Sequence, residues 1–291
     1  MSRRVFSYLI ATVVCAAVLV PLIARPSAAA DDAVIVADKA LMIAFEKNDR
    51  ATIDKYLDDD FTWVDQDGVM AERKDALALG RKPILGEDGD VKIRENKVGD
   101  QVVWLHVDSG NKYVARVWVK RGSAWKLLHT TEIVVRPASE QIFVHSPYPI
   151  PCVNPCQTVP FTPLDKMQAG TLADWQVQVG SREAFKTHVD DNQAMVSTYG
   201  GQSVAKGIRM AGDKLPPPPP GPPVGSPPVL WMKMYTFAPD TTVVLAIQPI
   251  YGQKAYWSSR VFHFQNGYWQ MMESYHNTIQ AATVLTEVEG K

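Results

Sequence analysis

The sequence predicts an α+β chain built from two copies of one unit in tandem. Three observations carry that expectation. In each half, helical, Ala-rich sequence comes first and a series of strands follows, an order that argues against alternating βαβ units. Segments of the two halves match at long, nearly constant offsets. The 21 prolines cluster, nine between Pro216 and Pro228 and seven between Pro137 and Pro163, with five elsewhere. The 291 residues are 46% hydrophobic, with 30 basic and 31 acidic side chains. That is enough apolar material for a core, and too even a charge for a disordered chain or a basic nucleic-acid binder.

The chain opens with Arg3 and Arg4, an apolar run from Val5 to Ala24, and Ala28-Ala29-Ala30. A charged flank, a hydrophobic stretch and a small-residue site read as a secretory signal over residues 1–30, cleaved to place the protein in the periplasm or outside the cell. Retention as a membrane anchor is the competing reading, since about 20 apolar residues span a bilayer. Cys15 follows Val14 where a lipoprotein acceptor wants a small residue, so lipidation is not expected. Without Arg3, Arg4 and Arg25 the mature chain holds 27 basic against 31 acidic residues, and no anionic partner is implied.

The first unit, residues 31–137, begins with helical sequence over about 32–57, where Ala40, Leu41, Ala44 and Phe45 recur at helical spacing. A short strand from Phe61 to Asp65 ends at the turn signal Asp67-Gly68. A helix from Glu72 to Leu79 follows, then strands near 90–97, 101–108, 112–121 and 125–135. Arg121-Gly122-Ser123 sits where a tight hairpin turn belongs.

Residues 138–162 form a linker rich in proline, carrying Cys152 and Cys156 in the string P-C-V-N-P-C. Two lone cysteines in an exported chain read as one disulfide closing a small loop, with free or intermolecular thiols as the alternative. No His or Cys flanks them at a ligand spacing, so no metal is expected there.

The second unit, residues 163–286, repeats this order, with helical sequence over 163–189. Asp58/Asp190, Asp59/Asp191, Val64/Val196, Gly68/Gly200 and Lys74/Lys206 coincide at an offset of 132. Arg116/Arg260, Val117/Val261 and Trp125/Trp269 coincide at an offset of 144. The extra 12 residues match the proline tract of a loop at 214–229, which the first unit lacks. Such a tract is extended and cannot enter a sheet. It reads as a stiff surface loop, with a lid or docking segment as the sharper alternative.

The order of helices, L-D-D-D-F-x-x-V-x-x-D-G, helix and strands ending in R-V-W-V-K-R-G-x-x-W-K-L-L resembles the SnoaL-like, ketosteroid-isomerase-like branch of the nuclear transport factor 2-like superfamily. The match covers nearly all of residues 34–135. The second unit is more divergent, with Gln193 in place of Phe61 and Asn266 in place of Gly122. The resemblance implies cone-shaped, strongly curved antiparallel sheets, each wrapped round its N-terminal helices with a pocket inside the cone. It also implies sheet-to-sheet pairing, which a tandem chain makes within itself.

Alternation along the last strand of unit one puts Trp125, Leu127, His129 and Thr131 on one face and Lys126, Leu128, Thr130 and Glu132 on the other. His129 and His106 are the proton-transfer candidates of unit one, weighed against hydrogen-bonded histidines in a half-buried sheet. In unit two Glu273 aligns with His129. It is a base with a raised pKa if it faces a cavity lined by Met195, Met271 and Tyr275, or the ion-pair partner of Arg260. The isomerase set of an aspartate base, a tyrosine and a second acid cannot be placed residue by residue. Arg116 and Arg260, at the same place in both copies, read as a structural ion pair or an interface contact. Asp58, Asp59, Asp60, Asp65 and Asp67 read as solvated turn chemistry, because Trp63 stands where a calcium loop needs its first aspartate.

The expected pocket lining is Tyr56, Trp63, Trp104, Trp125, Trp175, Met195, Trp269, Met271 and Tyr275. The leading expectation is an exported protein that binds a small, largely apolar organic molecule in one or both cones, without a cofactor or a nucleic-acid partner. Membrane contact would come only through an uncleaved signal segment. The alternatives are a cofactor-independent isomerase, cyclase or hydrolase, and a structural or partner-binding envelope protein.

Overall fold

A computed structural model of the chain describes residues 28–86, 90–140, 161–178, 182–204, 206, 229–250 and 253–280. The apolar N-terminal run, Cys152, Cys156 and nearly all of the 214–229 loop lie outside the described residues.

Unit one begins with α1 (Ala28–Lys47) and α2 (Arg50–Tyr56). The break between them is local chemistry: Asn48 takes φ +54, and the Asp49 carboxylate accepts from Thr52 N at 3.2 Å, capping α2. The strand β1 (Leu57–Val64), β2 (Met70–Glu72) and the helix α3 (Arg73–Leu79) follow, with Gly80 at φ +56 ending α3. Four long strands complete the unit: β3 (Lys92–Val98), β4 (Val102–Ser109), β5 (Lys112–Arg121) and β6 (Ala124–Val134).

Unit two repeats the plan with α4 (Lys166–Gln178), α5 (Arg182–His188), β7 (Val189–Ser197) and β8 (Gly201–Val204). Then come β9 (Trp231–Phe237), β10 (Thr241–Ile250), β11 (Gln253–Gln265) and β12 (Tyr268–Thr278). Each unit forms a six-stranded sheet, ordered β2-β1-β6-β5-β4-β3 and β8-β7-β12-β11-β10-β9.

The sheets are mixed, which corrects the wholly antiparallel expectation: β1 runs parallel to β6, and β7 parallel to β12. In unit one a helix and four strands intervene before β6 returns to β1, a crossover long enough for parallel pairing. The other pairings are antiparallel.

Both last strands carry a β-bulge at the same place. Val117 pairs with His129 but Trp118 with Leu127, leaving Leu128 as an extra residue. Val261 pairs with Glu273 but Phe262 with Met271, leaving Met272 as the extra residue. One inserted residue swaps the two faces of every position beyond it. The alternation read from sequence therefore holds up to Leu127 and inverts from His129 onward.

The inverted faces matter because each sheet has two different neighbours. One face packs on its own helices: Leu41, Phe45, Phe61, Trp63, Trp118 and Leu127 cluster in unit one, and Trp175, Met232, Met234, Phe262, Trp269 and Met271 in unit two. The other face packs on the other unit, where Trp104, Val117, Leu128 and Ile133 share one buried cluster with Tyr235, Val243, Val261 and Tyr275. The contact is reciprocal. Arg136 N donates to Thr198 O beyond β7, and Gln280 N donates to Asp67 O beyond β1. Trp257 Nε1 reaches Gly68 O at 2.9 Å, and Asn277 Nδ2 reaches the carbonyls of Asp65 and Glu132.

Candidate functional site

Past the bulges, the proton-transfer candidates lie on the face between the sheets and outside both cones. His129 is fully buried, with Nδ1 2.8 Å from Thr62 Oγ1 and Nε2 2.8 Å from Ser259 Oγ and 3.0 Å from Thr131 Oγ1. Burial pulls its pKa from 6.5 down to about 3, so the ring is neutral at neutral pH. It is a hydrogen-bonded structural histidine joining the two units.

Glu273 faces unit one. Its Oε1 lies 2.8 Å from His106 Nε2 and accepts from Asn96 Nδ2 at 2.6 Å, while His106 Nδ1 lies 3.0 Å from the Tyr275 hydroxyl. Arg260 is not its partner, and the cavity of Met195, Met271 and Tyr275 does not exist as a unit. Met271 belongs to the second cone, Tyr275 to the inter-sheet cluster, and Met195 is half-buried on β7. The bulge at Met272 separates them. Of the other expected lining residues, Tyr56, Trp63 and Trp125 lie in the first cone and Trp175 and Trp269 in the second, whereas Trp104 packs between the sheets.

The first cone contains charges that sequence reasoning did not assemble. Arg116 Nη1 meets Asp38 Oδ2 at 2.6 Å, Trp118 Nε1 donates to Asp38 Oδ1 at 3.0 Å, and Arg116 Nη2 donates to Leu85 O at 2.5 Å. The structural ion pair expected for Arg116 is thus made with α1 and inside the cone. Glu132, moved to the cone side by the bulge, accepts from Ile84 N at 3.0 Å. Burial pushes its pKa from 4.5 up to about 7, with Asp65 adding to the rise and the Ile84 N–H and Arg116 opposing it. Arg81 lies 3.4 Å from Asp65. Segment 81–85 is thereby strapped to the cone at three points. Acid at position 38 and a bulge at 128 were the missing signals, and neither shows in periodicity.

The second cone has a different interior. At the offset of 132 the residue matching Asp38 is Gly170, and Arg260 turns to other groups. Its Nη1 donates to Gln248 Oε1 at 2.7 Å and Ser258 Oγ at 3.2 Å, Nε to Ser274 Oγ at 3.2 Å, and Nη2 to His276 Nε2 at 3.1 Å. The guanidinium lies 4.6 Å from the Trp175 ring, and the Tyr256 and His276 rings are 4.8 Å apart. Burial raises the Tyr256 pKa, opposed by Arg260, so the phenol stays protonated. Gln248 is fully buried and its Nε2 has no hydrogen-bond partner. These polar groups share the face of the second sheet with the apolar cluster of Met232, Met234, Met271 and Trp269.

The acidic residues are more engaged than solvated turns. Asp58 is buried against Arg121 at 2.7 Å, Asp60 meets Lys233 of unit two at 3.0 Å, and Asp67 meets Arg136 at 3.3 Å. Arg121 and the lysine lie where the two units meet, which sequence alone does not reveal. Among the described residues, no His, Cys, Asp and Glu group has a metal-holding arrangement and no helix is long and apolar enough to cross a membrane. Grooves lined by Arg50, Asp54, Lys74 and Leu77, and by Asp58, Asp59, Arg121 and Lys126, are open surface features outside the cones.

Comparison with solved structures gives single-unit matches. An NTF2-like protein from Cytophaga hutchinsonii is 18% identical over 36% of this chain and 98% of its own, with TM-score 0.29. An NTF2-like protein of unknown function in nutrient uptake from Rhodospirillum rubrum is 19% identical over 35% of this chain and 98% of its own, with TM-score 0.30. A protein with a cystatin-like fold from Caulobacter vibrioides is 16% identical over 38% of this chain and 92% of its own, with TM-score 0.28. No protein-family model and no curated protein matches the chain. The two units repeat one helix placement and one strand order in tandem. Such a fold hosts many functions, so function is argued from the site.

Proposed function

We propose that this is an exported binding protein whose second cone holds a small, largely apolar organic molecule, with the first cone as its structural partner. The observation that carries this reading is the composition of the second cone: a Met- and Trp-rich wall on the same face as Arg260, Ser258, Ser274 and Gln248, whose Nε2 has no hydrogen-bond partner. An apolar wall with a few converging polar groups is the usual make-up of a ligand site. The first cone instead directs Asp38, Arg116 and Glu132 onto its own helix and strap. Export is supported by the charged, apolar and small-residue pattern of residues 1–30.

Native mass spectrometry of protein isolated from its own host tests the reading. The expected result is a bound small molecule that is lost in Met271→Trp, which fills the cone, with the intact mass showing cleavage after Ala30. Protein that is empty in every preparation overturns the binding reading.

One observation favours proton-transfer chemistry as a second reading: a carboxyl inside a cone with a pKa near neutrality, Glu132. Its test is turnover of the ligand identified above, abolished in Glu132→Gln.

A further inference from the structure

We infer that segment 81–86 is a strap that covers the first cone in acid and lets go of it toward neutral pH, with the Glu132 side chain as its release. The inference concerns the first cone and does not depend on a ligand in the second.

The strap is built to move as a piece. Its sequence, Arg81-Lys82-Pro83-Ile84-Leu85-Gly86, lies between α3 and β3 and takes up neither helix nor strand. Pro83 brings no N–H, so the segment lacks a donor that a sheet ladder needs. Gly80 stands in the left-handed region, and the nearest atom to a Cβ built on it is Asn48 Oδ1 at 3.9 Å. It supplies a hinge with room to turn. At the other end Gly86 lies against α1, where a Cβ would stand 2.8 Å from Glu46 Oε1.

Side chains hold the strap down. Ile84 N donates to Glu132 Oε1 of β6 at 3.0 Å, Leu85 O accepts from Arg116 Nη2 of β5 at 2.5 Å, and Arg81 lies 3.4 Å from Asp65 just past β1. The Leu85 side chain is buried in the apolar cluster of the cone, with Ile84 packed beside it. A segment fastened in this way can open without unfolding the sheet beneath it.

Glu132 gives the opening its pH dependence. Burial keeps its pKa at about 7 in the closed form, with Asp65 adding to the rise and the Ile84 N–H and Arg116 opposing it. Asp38 of α1 pairs with that arginine, Arg81 faces Asp65, and unit two presents the neutral Asn277 amide at the Glu132 carbonyl. Opening admits water to the carboxyl and returns it toward the ordinary 4.5. The closed form therefore holds the proton more tightly than the open one. The open fraction grows by up to about tenfold per pH unit between those two values and levels off above the higher one. Release also frees Arg116 Nη2 and Glu132 Oε1 and draws Leu85 out of the apolar cluster.

Amide hydrogen exchange of the two-unit chain, followed by NMR with Ile84 N–H as reporter, tests the inference. The Ile84 protection factor is expected to fall by more than about tenfold between pH 5 and pH 7 and to level off at higher pH. At any one pH it is expected to ignore urea below the unfolding transition, whereas the Leu105 and Val117 amides in the sheet follow the urea concentration. Glu132→Gln retains an acceptor for Ile84 N and is expected to hold the Ile84 protection constant from pH 5 to pH 8. Ile84 protection that is independent of pH in the natural protein overturns the inference, as does the same pH slope in Glu132→Gln. An Ile84 amide as sensitive to urea as Leu105 also overturns it, because the strap would then open only when the whole unit unfolds.

Discussion

The His106 imidazole of β4 lies 2.8 Å from the Glu273 carboxylate of β12, so a buried ion-pair geometry joins two sheets that belong to different halves of the chain. Both side chains are almost wholly buried, and Asn96 and Tyr275 extend the network, while Glu273 Oε2 has no hydrogen-bond partner. Removing one member of such a pair leaves an uncompensated polar group. Glu273→Ala is expected to cost about 3–5 kcal/mol in urea unfolding. The double variant His106→Leu with Glu273→Leu is expected to recover most of that loss. A double variant less stable than either single one would show that the pair is not coupled.

Glu132 sets a pH dependence with a defined sign. Its folded pKa of about 7 lies above the ordinary 4.5, so the folded state holds the proton more tightly. Its contribution is complete below pH 4.5 and is lost as pH rises toward 7, at up to about 1.4 kcal/mol per pH unit. Glu132→Gln keeps an acceptor for Ile84 N and removes this loss. The variant is expected to gain stability over the natural protein as pH rises from 5 to 8, followed by thermal unfolding.

His129 works in the opposite direction. Its folded pKa of about 3 lies below the ordinary 6.5, so the unfolded chain takes the proton first. The contribution is complete above pH 6.5 and is lost as pH falls toward 3. His129→Gln is expected to lower stability at pH 7 through the lost bonds to Thr62 and Ser259, yet to flatten the acid limb. An acid limb as steep as that of the natural protein would rule out His129 as its source.

Asp38 takes both Arg116 Nη1 and Trp118 Nε1. Asp38→Ala strands a guanidinium that is 2% exposed and is expected to cost about 3–5 kcal/mol. Asp38→Asn, which retains an acceptor, is expected to cost less. Equal losses in the two variants, measured by chemical denaturation, would mean that the retained acceptor contributes nothing and the charge carries the whole effect.

Gly68 ties the β1–β2 turn to the other unit. Its φ is +78, and a Cβ there would stand 2.8 Å from Ile279 Cα. Gly68→Ala is expected to cost at least about 1–3 kcal/mol and to expose Trp257, whose indole donates to the Gly68 carbonyl. Fluorescence quenching by acrylamide reads that exposure directly.

The features legible in the sequence were those written in neighbouring residues. The spacing of Ala40, Leu41, Ala44 and Phe45 marks α1, and the hairpin turns fall at Gly122 and at Asn266-Gly267, all with positive φ. The site was harder to read. Leu128 and Met272 are ordinary strand residues, and nothing in their chemistry announces an extra residue that turns His129 and Glu273 away from the cones. Glu132 was placed on the wrong face for the same reason. The Arg260 cluster gathers residues of three strands, β10, β11 and β12, and its members are individually unremarkable in the sequence.

The fusion of the two units has one last consequence. The strand registers place His106 at the position of Leu245, and His129 at the position of Glu273, when the copies are matched. In a pair assembled from identical chains every substitution arrives twice, once on each side of the axis. A change such as His106 would then be judged in two settings at once. On a single polypeptide each half mutates alone, so an imidazole can be fitted to a carboxylate on one side of the axis while the opposite side keeps a leucine. The covalent link thereby frees the second cone to acquire chemistry that the first never has to accommodate.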